Sequence, residues 1–388
     1  MDEPPAPADP RGAVTPPPPP PDVREALRGA RVYLIVTEAA CRGPWERAVE
    51  RALASGVVGV VQLREKMIDD AEFVRRARRL RALASAANAL VVLNDRAHLV
   101  VEAGADGVHV GEHDATPDAA RRLVGPNRLV GVSTHDAREV GAAVARGADY
   151  AGLGPCFATT TKTLERQPGG LALVATAVES AALPLFPIGG ISPENVASLA
   201  AAGATRAAVG SGVLGADDPA EAARRLRAAL LPEVPAVPEF EGGVPTFGGR
   251  TPGMRYRPRP GSYAVILDAA DRLAVMRTPK GIFLPGGGTD PGETPDATLR
   301  REVLEECGHA IEAGRRLCFA IERVADDKDE GGVGGVAKEC AFFEARLGPV
   351  VAAPIEHDHE LVWMPVRRAI ARLTHRSQAW AVAGLMRG

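Results

Sequence analysis

Short apolar runs alternate with amphipathic stretches through the first half of the chain. Eight of these runs predict β-strands, at residues 32–37, 57–64, 90–95, 107–111, 128–134, 150–155, 184–190 and 206–210. The stretches between them carry apolar residues three and four positions apart, which is typical of helices packed on a sheet. Eight strand and helix pairs in about 200 residues predict an α/β fold of the closed (β/α)₈ TIM barrel type. An open doubly wound sheet is the alternative.

Two stretches lack this periodicity. Residues 1–28, with a run of prolines at 17–21, cannot bury enough apolar surface to order, so we expect a disordered tail. Residues 232–260 are rich in proline and glycine and predict a linker. The barrel is therefore expected at residues 29–231 and a second, smaller domain at residues 261–388.

Composition narrows the classes of protein to consider. The 388 residues are 46% hydrophobic and 24% charged, with a formal net charge of -3. A large core is available, and nothing predicts a general attraction to nucleic acid. The five cysteines are scattered, which argues against a disulfide framework or a zinc site and favours the cytoplasm. We expect no signal peptide and no membrane span.

Charged residues follow several of the predicted strands. In a TIM barrel the catalytic face is formed by the carboxyl ends of the strands. Asp95 and Asp114 follow the adjacent third and fourth strands and can share Mg²⁺, which commonly takes one or two carboxylates plus substrate phosphate oxygens. Arg64, Lys66 and Lys162 would surround the same phosphates. Each of these residues alone is commonly a surface ion pair or a helix cap, but their convergence on one rim predicts a site.

Hydrogen-bonding residues and glycines complete this rim. Asn94, Ser133, Thr159 and Thr161 add polar side chains. The glycines at 189–190 and 210–212 follow strands seven and eight, where barrels usually bind phosphate through closely approaching backbone N–H groups. His109 and His135 lie nearby, although a lone histidine is more often packed or solvated than catalytic.

These residues lie in a series of short motifs that occur in order. They are VQLREK at 61–66, NDR at 94–96, GVHVG at 107–111, GVSTH at 131–135, GP at 154–155 with Thr159, Thr161 and Lys162, and IGGI at 188–191. Over about residues 30–230 the chain closely resembles thiamine phosphate synthase. The resemblance implies that 4-amino-2-methyl-5-hydroxymethylpyrimidine diphosphate is joined to 4-methyl-5-(2-phosphoethyl)thiazole, giving thiamine phosphate and pyrophosphate.

The resemblance also implies roles for individual residues. Asp95 and Asp114 would bind Mg²⁺. Arg64, Lys66, Asn94 and Lys162 would bind the pyrimidine diphosphate, with Gln62 and Ser133 near the pyrimidine and its leaving group. Thr159, Thr161, Gly190 and Ser211 would bind the thiazole phosphate. The implied reaction is a dissociative displacement, in which Arg64, Lys66, Ser133 and Lys162 act on the departing pyrophosphate and the thiazole nitrogen captures the pyrimidine methylene cation.

Two other interpretations of the barrel remain open. The pair Glu112-His113 stands where the family usually has Gln-Glu, so the match is incomplete. One alternative is a thiazole tautomerase, a related group with the same barrel that lacks the diphosphate ligands. The other is a barrel that only binds thiamine phosphates beside an active hydrolase. The set Arg64, Asp95, Asp114 and Lys162 disfavours both alternatives, because neither requires a set of diphosphate and metal ligands.

The second domain contains an acidic helix. Thr294 and Pro295 predict its start and Gly308 its end. Glutamates at positions 302, 305 and 306 share one face of this helix, where repulsion between them favours the binding of divalent metals.

The spacing of Gly287, Glu293 and the sequence REVLEECG at 301–308 resembles the box of the Nudix hydrolases. The resemblance implies an α/β/α domain, Mg²⁺ bound by Glu302, Glu305, Glu306 and the Gly287 carbonyl, and Arg301 orienting the carboxylates. The implied activity is hydrolysis of a nucleoside diphosphate linked to another group, and the substrate is left open. Further metal or base candidates are Asp326, Asp327, Asp329, Glu330 and Glu356.

The chain is thus predicted to be a bifunctional enzyme acting on small molecules. Its partners would be the pyrimidine diphosphate, the thiazole phosphate and an unidentified diphosphate, with no nucleic acid and no membrane. A homo-oligomer is left open.

Overall fold

Eight parallel strands form the first domain. We describe residues 22–158, 167–325 and 334–387 of a computed structural model of the chain. The strands are β1 (Val32–Val36), β2 (Val58–Leu63), β3 (Leu90–Asn94), β4 (Gly107–Val110), β5 (Leu129–Thr134), β6 (Tyr150–Leu153), β7 (Leu185–Pro187) and β8 (Ala207–Val209). They follow one another from β1 to β7, β8 pairs with β1, and a bridge from Ile188 to Ala208 joins the remaining edges. The predicted TIM barrel is confirmed.

Helices surround this barrel. They are α1 (Val23–Gly29), α2 (Trp45–Leu53), α3 (Asp70–Ala86), α4 (Val100–Ala103), α5 (Pro117–Val124), α6 (Ala137–Ala142), α7 (Gly170–Ser180), α8 (Val196–Ala201), α9 (Ser211–Leu214) and α10 (Pro219–Leu230). Short 3₁₀ turns lie at Glu38–Ala40 and Ala97–Leu99. The predicted apolar face of α3 is buried: Phe73, Ala77 and Leu80 pack into the main core between helices and strands. This layer of apolar contacts holds the strand ends in place.

The prediction of a disordered tail is wrong for its last residues, because α1 begins at Val23. Asp22 caps the helix by accepting a hydrogen bond from the Arg24 amide (3.0 Å). Leu27 is 1% exposed and packs with the inner residues Tyr33 and Leu90. The apolar residues of α1 are too few for their spacing to predict a helix. The helix is ordered because it packs on the apolar surface at the open end of the barrel.

The second domain is a three-layer structure. Its strands are β9 (Glu239–Glu241), β10 (Val244–Phe247), β11 (Arg255–Val265), β12 (Arg272–Thr278), β13 (Gly281–Phe283), β14 (Gly286–Gly288), β15 (His309–Ala325), β16 (Gly334–Val350) and β17 (Glu360–Pro365), and its helices are α11 (Pro295–Cys307), α12 (Val366–Arg372) and α13 (Arg376–Arg387). One sheet has the order β14-β11-β16-β15-β10-β9 and the other β13-β12-β17. One core contains Val303 of α11, and another contains Ala369 of α12 and Val382 of α13. The predicted α/β/α arrangement is confirmed.

Part of the predicted linker is folded. Strands β9 and β10 form a hairpin across Gly242 and Gly243, whose φ angles of +56° and +83° suit glycine. The buried Arg323 side chain of β15 donates hydrogen bonds to Glu239 (2.7 Å) and Glu241 (2.7 Å). The linker prediction is therefore wrong for this hairpin and for the start of β11. Glycine and proline indicated a turn, while the pairing depends on a strand about 75 residues away.

The second domain docks at the amino ends of the barrel strands. Asp271, in the turn before β12, is 5% exposed and accepts hydrogen bonds from Thr205 Oγ1 (2.6 Å) and Arg206 Nη2 (3.1 Å) just before β8. Arg31, just before β1, also pairs with this carboxylate. Arg367 of α12 donates to two backbone carbonyls at the end of α10 (2.7 and 2.8 Å). The carboxyl ends of the barrel strands therefore lie away from this interface.

Among the helices of the described residues, none combines the length and apolar character needed to cross a bilayer.

Candidate active sites

A cavity of about 320 Å³ opens at the carboxyl ends of the barrel strands. Nine of the residues predicted for the site line it, namely Gln62, Arg64, Lys66, Asn94, Asp95, Asp114, Ser133, Gly190 and Ser211. Thr159, Thr161 and Lys162 lie outside the described residues. The convergence follows from the parallel topology, because every strand ends on the same rim.

Two carboxylates face each other at this rim. Asp95 follows β3 with a φ of +63°, and its amide donates to the His109 carbonyl (2.9 Å). Burial raises the pKa of Asp95, and its hydrogen bond with Asp114 raises it further, while the Lys66 ammonium at 3.5 Å opposes the rise. Asp114 Oδ2 also accepts a hydrogen bond from the Gly111 amide (2.9 Å). Two adjacent carboxylates require a proton or a cation between them, so this pair fits a divalent metal.

A series of hydrogen-bonded side chains forms the floor of the cavity, and the sequence did not predict this series. Gln62 Nε2 donates to Tyr33 Oη (2.9 Å), which is 2.9 Å from Tyr150 Oη. His109 joins Tyr150 Oη (3.3 Å) to Ser133 Oγ (3.1 Å). Removal from water lowers the pKa of His109 to about 4, so the ring is neutral at pH 7. The floor therefore offers neutral donors and acceptors.

Two glycines leave space for these hydrogen-bonded side chains. A Cβ at Gly131 would collide with the Tyr150 ring, and one at Gly152 would lie 3.3 Å from His109 Cε1. From the sequence alone, His109 is expected to be packed or solvated. Its place in the middle of a strand, with alternate residues pointing inward, was the signal that could have identified it.

Gly190 brings two loops of the rim together. Its φ is +61°, and a Cβ would collide with the carbonyl oxygen of Ala158 in the loop after β6. Asn195 Nδ2 donates to the Gly190 carbonyl (2.7 Å), while Asn195 Oδ1 accepts from the Ser192 amide (2.9 Å). These bonds use residues that precede the helix, so α8 begins at Val196 and not directly after Ser192, as capping by Ser192 and Pro193 would suggest.

The acidic helix α11 has the predicted ends. Thr294 Oγ1 accepts from the Ala297 amide (3.2 Å), Pro295 is the first helical residue, and Gly308 ends the helix with a φ of +71°. A Cβ at Gly287 would collide with the Glu302 carboxylate, so the backbone of β14 closely approaches this helix. The helix therefore presents its carboxylates to a glycine strand.

Arg301 holds several of these groups in place. Its guanidinium donates to Glu293 (2.7 Å), Glu302 (3.0 Å) and Glu305 (3.1 Å), and to the Gly288 carbonyl (2.8 Å). The bonds to Arg301 hold the pKa of Glu293 at about 2. Burial raises the pKa of Glu302, and Arg301 opposes this rise.

Glu306 points to a different set of partners. It is 6% exposed, and burial raises its pKa to about 8, although Oε2 accepts a hydrogen bond from the Gly286 amide (2.8 Å). His359 Nδ1 lies 3.5 Å from Glu306 and 2.6 Å from Glu356. One ligand atom from each of Glu306, Glu356 and His359 lies within 4.8 Å of the others. Carboxylate oxygens and an imidazole nitrogen are suitable ligands for a divalent metal.

Glu356 is one of the acidic residues predicted as metal or base candidates, whereas no pattern in the sequence predicts His359. Backbone hydrogen bonds from Ile355 (2.8 Å) and Glu356 (3.2 Å) to the Glu305 carbonyl bring this loop to the end of α11. Asp326, Asp327, Asp329 and Glu330 lie outside the described residues.

Comparison with protein families separates the same two regions. A model described as thiamine monophosphate synthase matches residues 32–213, and a NUDIX domain model matches residues 257–383. Both resemblances seen in the sequence are confirmed.

Individual relatives match the barrel half. A thiamine-phosphate synthase of Anaeromyxobacter dehalogenans is 46% identical over 183 residues, which are 47% of this chain and 82% of that protein. One from Synechococcus sp. (strain WH7803) is 43% identical over 52% of this chain, which spans only 58% of that relative. A solved thiamine phosphate pyrophosphorylase of Pyrococcus furiosus is 30% identical, with a TM-score of 0.47 over 53% of this chain and 96% of that one.

Proposed function

The chain belongs to the thiamine-phosphate synthase family, and from this we propose that its barrel joins 4-amino-2-methyl-5-hydroxymethylpyrimidine diphosphate to 4-methyl-5-(2-phosphoethyl)thiazole, releasing pyrophosphate. One observation carries the proposal: basic, acidic and hydrogen-bonding residues from successive strand ends line a single cavity. A tautomerase or a binding module has no need of the paired carboxylates Asp95 and Asp114 beside Arg64 and Lys66. The arrangement therefore favours diphosphate chemistry.

The rim of this cavity would bind the diphosphate. Arg64 and Lys66 would supply positive charge for the leaving group, with Asn94 as a neutral hydrogen-bonding side chain, and we expect Lys162 to add a further charge. Mg²⁺ would be held by Asp95 and Asp114, whose mutual contact is favourable only with a proton or a cation between them. The bound cation would supply charge stabilisation for the departing pyrophosphate.

The floor of the cavity would orient the pyrimidine. Gln62 is fixed by Tyr33, and Ser133 is fixed by His109, so each presents its polar group in a set direction. His109 is neutral and keeps positive charge away from the pyrimidine methylene group as cationic character develops there. Thr159, Thr161, Gly190 and Ser211 would bind the phosphate of the thiazole, which brings its ring nitrogen to the same carbon.

Formation of thiamine phosphate tests this proposal. Purified full-length protein is incubated with both substrates and Mg²⁺, and the product is measured by chromatography with mass detection. We expect product only when both substrates are present, and its loss when a chelator removes the metal. Product absent under all conditions, with the protein folded, would contradict the proposal.

The carboxyl-terminal domain would hydrolyse a diphosphate linked to an organic group, and its contacts support this second activity. Glu302, Glu305, Glu306 and the Gly287 carbonyl would hold Mg²⁺, with Arg301 keeping two of the carboxylates in place. Glu306 is too buried to ionise easily without a cation beside it. We place both activities in the cytoplasm, where the five free thiols would stay reduced.

A further inference from the structure

A row of charged side chains crosses the sheet of the second domain on the face opposite α11. Arg259 of β11 pairs in register with Lys338 of β16, and Lys338 pairs with Glu322 of β15. Residues paired in this way point to the same face of a sheet. The start of α13 covers part of the row, since Lys338 Nζ lies 2.9 Å from His375 Nε2 and the Ser377 amide donates to Glu322 (2.8 Å).

The row carries an excess of positive charge in a partly dry environment. Burial lowers the pKa of Lys338, and the nearby charges of Arg259 and Lys280 lower it further, while Glu322 opposes this shift. Burial also lowers the pKa of His375 to about 4, so this ring is neutral and accepts a hydrogen bond from the ammonium group. Within the described residues Arg259 forms no ion pair with a carboxylate. Cations collected in this way attract an anion.

One edge strand, β14, separates the row of charged side chains from the carboxylates of the hydrolase domain. A Cβ at Gly288 would lie 2.9 Å from Arg259 Nη2, so the guanidinium rests against this glycine. The preceding residue, Gly287, is in still closer contact with Glu302 on the other face. Strand β14 is at the edge of the sheet. If the diphosphate of a substrate binds beside Glu302, its organic half therefore has to extend around only one strand, β14, to reach Arg259.

We propose that Arg259 and Lys338 form a phosphate subsite of the hydrolase domain, which selects organic diphosphates that carry a further phosphate group. The proposal rests on the hydrolase activity proposed above and adds the class of substrate. The guanidinium of Arg259 can bind two phosphate oxygens at once, and Lys338 contributes a second charge. The ring of Phe283, with its centroid 5.0 Å from that of His375, keeps the histidine beside Lys338.

Pairs of diphosphates that differ by one phosphate test this selection. Coenzyme A is compared with 3′-dephospho-coenzyme A, and NADP⁺ with NAD⁺, by the kcat/KM of hydrolysis by the full-length protein. We expect the phosphorylated member of at least one pair to be preferred about tenfold, as for one hydrogen bond to a charged group. Arg259→Gln should remove this preference while leaving the other member within about threefold. The matched control Arg255→Gln, at an exposed arginine of the same strand, should retain it.

A binding measurement separates this proposal from the hydrolase activity. Calorimetry with inorganic tripolyphosphate and Mg²⁺ is carried out with Asp114→Ala in every protein, so that the barrel rim does not bind the ion, and should show about tenfold weaker binding with Arg259→Gln than without it or with Arg255→Gln. Equal binding by all three proteins, or an Arg259→Gln change that lowers both members of each pair equally, would overturn the subsite. Absence of hydrolysis by the wild type together with weaker binding by Arg259→Gln would instead reject the hydrolase activity and keep the subsite.

Discussion

At the scale of single residues, each of the two candidate sites has its own carboxylates, which we propose as ligands of a divalent metal. Asp114 lies at the barrel rim beside Asp95, while Glu305 is held by Arg301 on α11. Within the described part of the chain no contact joins these two groups, so each activity should depend on its own ligands.

Exchange of one carboxylate at each site tests this independence. Asp114→Ala should lower thiamine phosphate formation more than about 100-fold, because a proposed metal ligand is lost, and leave diphosphate hydrolysis unchanged. Glu305→Gln should do the reverse. Both activities are measured on the same preparations, and circular dichroism checks their folding. If either change silenced both activities in a folded protein, the two sites would not be independent.

Glu306 should make the stability of the metal-free hydrolase domain depend on pH. Its pKa rises from an ordinary 4.5 to about 8 on folding. Above the lower value the unfolded state releases a proton that the folded state keeps, so the free energy of unfolding falls as the pH rises from about 4.5 to about 8. Differential scanning calorimetry with a chelator at pH 5, 6.5 and 8 measures this trend.

Two comparisons assign the pH effect to Glu306. Glu306→Gln should flatten the decline and raise the melting temperature at pH 8, because a neutral amide replaces a buried charge. Mg²⁺ should stabilise the wild type more at pH 8 than at pH 5, since it binds the ionised carboxylate. An unchanged decline in the variant would assign the effect to other groups.

At the scale of elements, loops after neighbouring strands build the end of the barrel cavity where we propose that the thiazole phosphate binds. Gly190 after β7 contacts the backbone of the loop after β6, and α8 starts only after Asn195 has bonded to that glycine. The position of one loop therefore depends on the conformation of the next.

Gly190→Ala should displace this contact, because a methyl group would collide with the Ala158 carbonyl and the residue has a positive φ. We expect a KM for the thiazole phosphate raised about tenfold, corresponding to about 1.4 kcal/mol of lost binding. The control is Gly203→Ala, at another positive φ, where a Cβ would lie 3.4 Å from Val178 outside the cavity. An equal KM in both variants would argue against Gly190 as part of the phosphate site.

At the scale of the whole molecule, one buried charge connects the two domains. Asp271 is surrounded by Arg31, Thr205 and Arg206, and the Arg206 side chain is only 1% exposed. Since the interface involves the amino ends of β1 and β8, it leaves the cavity at the opposite ends of these strands open.

Removal of this buried charge should weaken both domains together. Asp271→Asn leaves the Arg206 charge buried and uncompensated, which should cost about 3–5 kcal/mol of the free energy of unfolding. Urea denaturation of the full-length protein measures the loss. The matched control Arg368→Gln breaks an interdomain ion pair with Glu179 (2.7 Å) whose side chains are each 49% exposed, and should cost about 1 kcal/mol or less. Equal losses would show that burial of the Asp271 pair is unimportant.

Local patterns were sufficient for the regular parts of the fold. Alternation of apolar strands and amphipathic helices predicted eight barrel strands, and Thr294 and Gly308 predicted the ends of α11. The same rules missed α1, because contacts of Leu27 with distant residues of the barrel core outweighed the weak local preference.

The sequence by itself determined which residues stand at strand ends and on the acidic face of α11, because strand and helix periods assign side chains to rims and faces. Tertiary structure alone decided that His109 joins Tyr150 and Ser133, that His359 reaches Glu306, and that Asp271 enters the barrel base. These contacts join segments tens to hundreds of residues apart. Their geometry comes from the packing of whole elements, which no local pattern records.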